Sequence, residues 1–371
     1  MYNEKTADIN SKLQCKNCAA PVTFQPGTQG TTCGYCGTYN EISVSAEERH
    51  AASSQSSFNS YRDADDSQKL TVQVLKCNSC GASASYNNNT SATTCAFCAA
   101  PLVVKGGTTA SIIKPKAMIP FVVTQPKALE EFRKYAKKQF FAPNAFRNMT
   151  KHTENLFGMY IPYWTYDALV HSRYEGEQGI DYQTTETYTA LENGQNVTKT
   201  RTVTKTRWHD VAGDVRNTFD DITVIATKSL PTKQANSLNP WNYKALVPYN
   251  DAYIAGFNAE MYNINIEQGL EDAYELMKPQ IEQSIRHDIG GDHQRISNYD
   301  SKKYNVTFRH ILLPIWINTY KYKDKAYHFL INGQTGEVQG SQPISVAKVL
   351  AVVFAVLAVI IMFALAVGGK K

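Results

Sequence analysis

The chain has 371 residues, of which 43% are hydrophobic, 19% charged and 11% aromatic, a composition that excludes disordered and collagen-like proteins. Its 38 basic and 33 acidic side chains give a formal net charge of +5, which is too small a surplus to indicate a polyanionic partner by itself. The mean hydropathy of -0.38 excludes a protein that crosses a membrane many times.

All eight cysteines fall in four Cys-X-X-Cys pairs, and the second two pairs repeat the spacing of the first two. Two residues between cysteines let both thiolates of one turn reach the same ion, and two such turns complete a tetrahedral Zn²⁺ site. The sequence therefore predicts two small β zinc ribbons, at residues 1–45 and 68–105, each with one structural zinc ion. The predicted ligands are Cys15, Cys18, Cys33 and Cys36 in the first ribbon and Cys77, Cys80, Cys95 and Cys98 in the second.

Other uses of these cysteines are less favoured. Disulfides would suit an exported chain, but residues 1–10 lack the apolar segment of a signal peptide. A redox pair would open a helix, whereas short β-prone runs flank these pairs. Iron would accept the same four thiolates. The sequence therefore favours zinc but does not distinguish the two metals. The residues that follow each pair are small, which we attribute to crowding in the turn; they are Ala19, Gly37, Gly81 and Ala99.

Residues 349–367 form a run without a polar side chain, whose helical length of about 29 Å matches a hydrocarbon core of about 30 Å. A buried helix of a soluble protein would be shorter and would carry polar residues on one side. We therefore predict a C-terminal transmembrane helix within a membrane anchor at residues 345–371. Since metal-binding cysteines need reduced thiols, the bulk of the chain is expected on the cytoplasmic side.

Residues 46–67 are rich in serine and poor in apolar side chains, which predicts a flexible linker between the ribbons. Residues 106–344 predict an α+β body with mainly antiparallel strands. Its two helices are predicted from apolar stripes, one from Leu129 to Phe140 and one from Ile266 to Ile285, the second with a cap at Asn265.

Two predicted strands share a Pro-X-Trp motif, at residues 162–164 and 314–316. Because proline cannot donate to a β-ladder, Pro162 and Pro314 predict a strand start or an edge position. We expect Trp164 and Trp316 to be core residues rather than ligand-stacking ones.

Residues 182–208 alternate on both sides of an Asn-Gly pair, which favours a β-hairpin with a two-residue type I′ turn. One face is predicted to be a threonine ladder, with Thr187 opposite Thr200. The other face carries Lys199, Arg201, Lys205 and Arg207. These side chains could bind phosphates, although a solvated ribbon protected by its charges is the simpler interpretation.

The sequence contains no phosphate-loop, serine-hydrolase, zincin or dinucleotide-binding motif, so we expect no enzymatic activity and infer no small-molecule substrate. The group of His287, Asp288, Asp292 and His293 could hold a metal, but a helix C-terminus at Gly290 is the simpler interpretation.

The paired cysteines, the two Pro-X-Trp strands and the final apolar helix together resemble bacterial membrane-anchored double zinc-ribbon proteins of unassigned role. Such proteins are often labelled as transcription-factor-type zinc ribbons or as similar to primosomal protein N-prime, a helicase. Helicase activity is not expected here, because the chain has no nucleotide-binding loop. Two structural metal modules, a membrane anchor and the lack of a catalytic motif together predict a tail-anchored adaptor or scaffold that recruits cytosolic protein partners to the inner face of the bacterial inner membrane. The alternative is a membrane-associated protein that binds nucleic acid through the second ribbon and the basic face of the hairpin.

Overall fold

The structure is a computed structural model. It describes residues 14–58, 69–85, 92–98, 100–103, 108–144, 146, 156–192, 194–322, 325–341 and 343–368. The helices are α1 (Ala46–Ser53), α2 (Gln125–Lys138), α3 (Thr232–Asn236), α4 (Asp251–Ile254), α5 (Ile266–Ile289) and α6 (Val346–Gly368). The first ten strands are β1 (Val22–Phe24), β2 (Gly30–Cys33), β3 (Tyr39–Glu41), β4 (Ser56–Ser57), β5 (Lys69–Lys76), β6 (Ser83–Ser85), β7 (Ala92–Thr94), β8 (Pro101–Val103), β9 (Thr108–Ile113) and β10 (Ala117–Met118). The remaining strands are β11 (Leu156–Glu192), β12 (Gln195–Ile225), β13 (Val247–Pro248), β14 (Asn258–Glu260), β15 (His293–Tyr322), β16 (Lys325–Asn332) and β17 (Val338–Gly340).

Three very long strands form the centre of the body. β11, β15 and β12 have 37, 30 and 31 residues, and β11 pairs antiparallel with both of the others. Shorter strands extend them to a sheet that has twelve strands within the described residues. Most of its pairings are antiparallel, while β10–β15 and β11–β14 are parallel. The α+β body with mainly antiparallel strands is therefore confirmed.

The two motif prolines lie inside the central strands rather than at a strand start or at an edge of the sheet. In a strand, the N and C=O of one residue point to the same side. The carbonyl of Pro162 accepts from Ala226 N at 2.9 Å, and that of Pro314 accepts from Gly333 N at 2.8 Å. Each proline nitrogen thus points away from the β11–β15 ladder and removes no hydrogen bond from it. The tryptophans are core residues, as predicted, with Trp164 0% and Trp316 5% exposed.

Helix α5 packs across the long strands and follows its predicted stripe. Asn265 caps it, since its side chain accepts from Gln268 N at 2.8 Å. The helix buries Leu270, Met277 and Ile281 against the sheet. It ends at Gly290, which has a φ of 66°, so the predicted C-terminal cap is confirmed.

Helix α2 buries Phe132 and Ala136 as predicted, but it ends before Phe140, which is 59% exposed. The segment predicted as a flexible linker also differs over its described part. α1 begins with a capping box in which Glu48 N donates to Ser45 Oγ at 3.1 Å, and β4 then pairs with β15. Residues 59–68 lie outside the described residues.

The predicted transmembrane helix corresponds to α6, whose side chains are described as far as Met362. Within the part of the chain that the structure describes, no helix has the length and apolar character needed to cross a membrane.

Candidate metal centres

The four cysteines of the first predicted ribbon converge on one point. Cys15 and Cys18 flank the turn before β1, while Cys33 ends β2 and Cys36 lies in the turn that follows. Cys15 Sγ is 3.6 Å from Cys36 Sγ, and Cys18 Sγ is 3.5 Å from Cys33 Sγ. All four sulfur atoms lie within 4.8 Å of one another.

The second set has the same arrangement. Cys77 Sγ lies 3.6 Å from Cys98 Sγ, and Cys80 Sγ lies 3.8 Å from Cys95 Sγ, again with all four atoms within 4.8 Å. The repeated spacing in the sequence thus corresponds to a repeated side-chain geometry.

These distances fit a tetrahedral metal ion. With a metal–sulfur bond of about 2.3 Å, two thiolates of one tetrahedron are about 3.8 Å apart, whereas a disulfide would bring them to about 2.05 Å. All eight cysteines are free. The donor sets therefore suit two metal ions such as zinc, and because four thiolates fill each coordination sphere, these ions would serve a structural role.

The small residues after the cysteine pairs have a different cause from the crowding that we expected. Ala19, Gly37 and Gly81 have φ values of 57°, 73° and 78°, in the left-handed region that favours glycine. A Cβ atom at Gly37 or Gly81 would meet no atom within 4 Å. Backbone conformation therefore selects these residues, while Ala99 lies outside the described residues.

The surroundings of the thiols differ within the clusters. The Thr38 hydroxyl and backbone N–H lower the pKa of Cys36 to about 6, which favours the thiolate that a metal requires. Burial raises the pKa of Cys95. Cys95 is 1% exposed, so a bound cation would be needed to keep this thiol ionised at neutral pH.

The first ribbon is attached to the body at one end and exposed at the other. Phe24 packs edge-on against Tyr253 with ring centroids 5.3 Å apart, and its backbone N donates to Ala255 O at 2.8 Å. At the opposite end, Tyr35 lies between Cys33 and Cys36 and is 86% exposed. The ribbon thus presents an aromatic side chain on a fixed support.

The second ribbon is embedded more deeply. Cys95 and Phe97 belong to the same apolar cluster as Ile315 of the central sheet, and Thr319 Oγ1 donates to Ala96 O at 2.6 Å. β6 also joins the main sheet through β14. The second metal centre is therefore part of the body's core.

The basic hairpin has the predicted register, with Thr187 opposite Thr200 and Glu186 opposite Arg201. Three of its four predicted phosphate-binding cations form ion pairs. Lys199 pairs with Glu192, while Arg201 and Lys205 both pair with Glu186. The fourth, Arg207, lies over the ring of Tyr182 at 5.0 Å.

The polar residues around Gly290 point to different partners. Asp288 accepts from Tyr174 OH at 2.6 Å, Asp292 accepts from Asp181 N at 2.8 Å, and His293 contacts Asp181 at 3.1 Å. They form no metal cluster among the described residues.

A group of three carboxylates was missed at the sequence level. Asp220 and Asp221 form a β-bulge of β12 opposite Asp167 of β11, and Asp221 N donates to Asp167 Oδ1 at 2.7 Å. Arg309 forms an ion pair with Asp221, so this group already has a cation. No local pattern could have indicated it, because the bulge brings the residues together.

Comparison with known proteins gives one relative. Over 241 aligned residues, the chain is 29% identical to the uncharacterized protein YdjG of Bacillus subtilis. The aligned segment covers 64% of this chain and 67% of YdjG. No protein-family model matches the chain, and no solved structure matches it. The resemblance to membrane-anchored zinc-ribbon proteins therefore rests on the residues themselves.

Proposed function

We propose that the protein is a non-enzymatic adaptor in which two structural metal centres support a surface for protein partners. The observation that carries this proposal is Tyr35, which is 86% exposed in the metal-binding turn of a ribbon whose other end is attached to the body. Exposed tyrosines on rigid supports are typical of binding hot spots.

We further propose that α6 attaches the adaptor to the inner face of the bacterial inner membrane, with the bulk of the chain in the cytoplasm. The helix exposes large apolar side chains, among them Leu350, Phe354 and Met362, and such a surface favours an apolar environment. Its start is attached to the body, because Ser345 N donates to Phe141 O at 2.8 Å and Lys348 Nζ donates to Ala142 O at 2.6 Å. A membrane-bound α6 would therefore hold the body close to the lipid surface.

Nucleic-acid binding is the alternative, and it has less support. The carboxylates of Glu186 and Glu192 form ion pairs with three of the four hairpin cations, and Glu186 is shared between Arg201 and Lys205. Binding to phosphates would require these ion pairs to break.

The adaptor proposal is tested by affinity capture from a bacterial lysate with the full-length, detergent-solubilised chain. We expect proteins that bind the wild type but not Tyr35→Ala. Tyr188→Ala is the matched control, because Tyr188 is also an exposed tyrosine, at 42%, but lies on the hairpin. Identical recovery with wild type and Tyr35→Ala would contradict the assignment of this surface.

The membrane proposal is tested by flotation of the full-length chain with vesicles of bacterial lipids. Phe354→Lys places a charge on α6, at a cost of about 3 kcal/mol within a bilayer, and is expected to reduce the floating fraction. Tyr35→Ala should float as the wild type does. If Phe354→Lys floated equally well, α6 would not be the attachment site.

The alternative function, nucleic-acid binding, is tested by gel shift. Salt-sensitive binding of DNA or RNA that is lost when the charge at Arg207 is reversed would favour it.

A further inference from the structure

A gap interrupts the outer edge of β15. β4 pairs with Thr307 and Phe308, and β10 pairs with Ile311 and Leu312. The two positions between them, Arg309 and His310, pair with no further strand of the described residues, and Lys116 N donates to His310 O at 2.9 Å. A cavity of about 460 Å³ opens at this gap, within the range of about 300 to 1,000 Å³ that is usual for small-molecule sites.

The cavity has a concentration of positive charge. Lys114, Lys116 and Arg309 line it, and none of the described residues that line it is acidic. Because Asp221 pairs with Arg309, the uncompensated charge is that of the two lysines. Neither lysine forms an ion pair with a carboxylate in the described part of the chain. Lys114 lies 6.0 Å from the ring centroid of Tyr249. Burial, together with repulsion from Arg309, lowers the pKa of Lys116, so an anion beside this ammonium group would relieve both effects.

Arg309 is almost fully buried at 3% exposure. Its terminal nitrogens are used, because one donates to Ser53 O and the other pairs with Asp221. Its Nε has no hydrogen-bond partner among the described residues. This nitrogen is closed off from solvent, and the guanidinium group faces Ser53 and Asp221, which do not line the cavity. Arg309 is therefore part of the cavity wall and is not a donor to its contents.

His310 contributes a neutral ring to the wall of the cavity. Its Nδ1 donates to Ile113 O at 3.0 Å, because a carbonyl can only accept. Burial lowers the pKa of His310 to about 4, so the ring is neutral and Nε2 carries a lone pair, which is buried and has no partner among the described residues. The lining also includes the apolar side chains of Ile113, Pro115 and Phe308.

We propose that this cavity binds a small organic molecule through an oxyanion group, a phosphate or a carboxylate. Lys114 and Lys116 contribute the positive charge and the hydrogen-bond donors. The apolar lining accommodates the rest of the molecule. This site does not depend on the metal centres, on α6 or on the adaptor surface, so it stands or falls independently of the proposed function.

The test uses the full-length, metal-loaded chain in detergent, with inorganic phosphate and acetate as probes and chloride at equal ionic strength as the reference. Thermal unfolding followed by tryptophan fluorescence reports binding, because a ligand of the folded state raises the midpoint in a saturable manner. We expect at least one probe to raise the midpoint above the chloride value. The probe with the larger effect shows whether the group recognised is a phosphate or a carboxylate.

Variants identify the site. Lys116→Gln should weaken probe binding at least tenfold, whereas Lys116→Arg should stay within threefold of wild type. Lys114→Gln, at the exposed rim, gives a second measurement if Lys116→Gln fails to fold. Lys228→Gln alters an exposed lysine that does not line the cavity and should bind as wild type does. The proposal is overturned if neither probe acts beyond chloride, or if the folded Lys116 and Lys114 variants bind as tightly as the wild type.

Discussion

Ile161 of β11 pairs directly with Leu313 of β15, and the two Pro-X-Trp motifs run in opposite directions from this pair. Their indole groups have equivalent partners, since Trp164 Nε1 donates to Ile264 O and Trp316 Nε1 donates to Val123 O, both at 2.9 Å. The two strands are thus related by a local two-fold arrangement, and each tryptophan connects the sheet to the segment that covers it.

Equivalent positions should have similar energetic roles. Trp164→Phe and Trp316→Phe each remove an indole N–H from a buried carbonyl and leave a small cavity. We expect each to lower the free energy of unfolding by about 2–3 kcal/mol, as measured by chemical denaturation in detergent. Trp208→Phe is the control, because Trp208 is partly exposed and stacks with Arg295 at 3.7 Å, a contact that phenylalanine retains. A cost confined to one of the two core tryptophans would contradict their equivalence.

Gly269 sets how closely α5 approaches the sheet. A Cβ atom at this position would lie 2.5 Å from Tyr166 OH and 2.8 Å from Trp164 Cδ1. Alanine is about 1 kcal/mol better than glycine inside a helix, but forced overpacking costs about 1–3 kcal/mol. Since both contacts are buried aromatic groups, we expect the steric cost to dominate and Gly269→Ala to be destabilising.

Chemical denaturation again measures this effect. The control is Gln283→Ala, an exposed position of the same helix, where the intrinsic preference for alanine should act alone and leave stability unchanged or slightly higher. A Gly269→Ala variant as stable as Gln283→Ala would mean that α5 can move away from the sheet without loss.

Features with local causes were predictable from the sequence. The cysteine clusters follow from two-residue spacing, the hairpin register from the turn at Gly194, and the start of α5 from the cap at Asn265. The continuation of β11 through Pro162 was not predictable, because it depends on which side of the strand the proline nitrogen faces. The contact of Arg309 with Asp221 depends on a bulge, and the attachment of both ribbons to the body depends on long-range packing.

Removing one cysteine should remove one metal ion. We expect about two equivalents of zinc per wild-type chain and about one in Cys33→Ser and in Cys95→Ser, because an incomplete thiolate set binds zinc weakly. Elemental analysis by mass spectrometry measures this content. Ser79→Ala, within the same turn as Cys77 and Cys80, should retain both ions.

The two losses should differ in their effect on the body. Cys95 lies in the apolar cluster of the central sheet, whereas Cys33 belongs to a small cluster with Cys15 and Val22. Structural zinc supplies folding free energy, so Cys95→Ser should destabilise the body by roughly 3 kcal/mol or more, and Cys33→Ser by less. Thermal unfolding of the body followed by circular dichroism compares them. The reverse order would show that the second ribbon is not part of the core.

Glu260 should make stability depend on pH. It is 3% exposed, its Oε1 accepts from Thr227 Oγ1 at 2.8 Å, and its Oε2 has no partner among the described residues. Burial raises the pKa of Glu260 from 4.5 to about 8. Between these values the folded state keeps the proton that the unfolded state has lost. Stability should therefore fall as pH rises through this window, by roughly 1.4 kcal/mol for each pH unit.

Glu260→Gln keeps the shape and the contact with Thr227 but cannot ionise. Its free energy of unfolding should lack this decline, so its advantage over wild type grows from pH 5 to pH 8. Burial of neutral His310, whose pKa falls to about 4, costs stability as pH falls below about 6.5. That contribution is common to both proteins and cancels in the difference. The control is Glu175→Gln, at an exposed position, which should follow the wild-type curve. If the difference in free energy of unfolding between Glu260→Gln and wild type stayed constant across this window, Glu260 would be ionised in the folded protein.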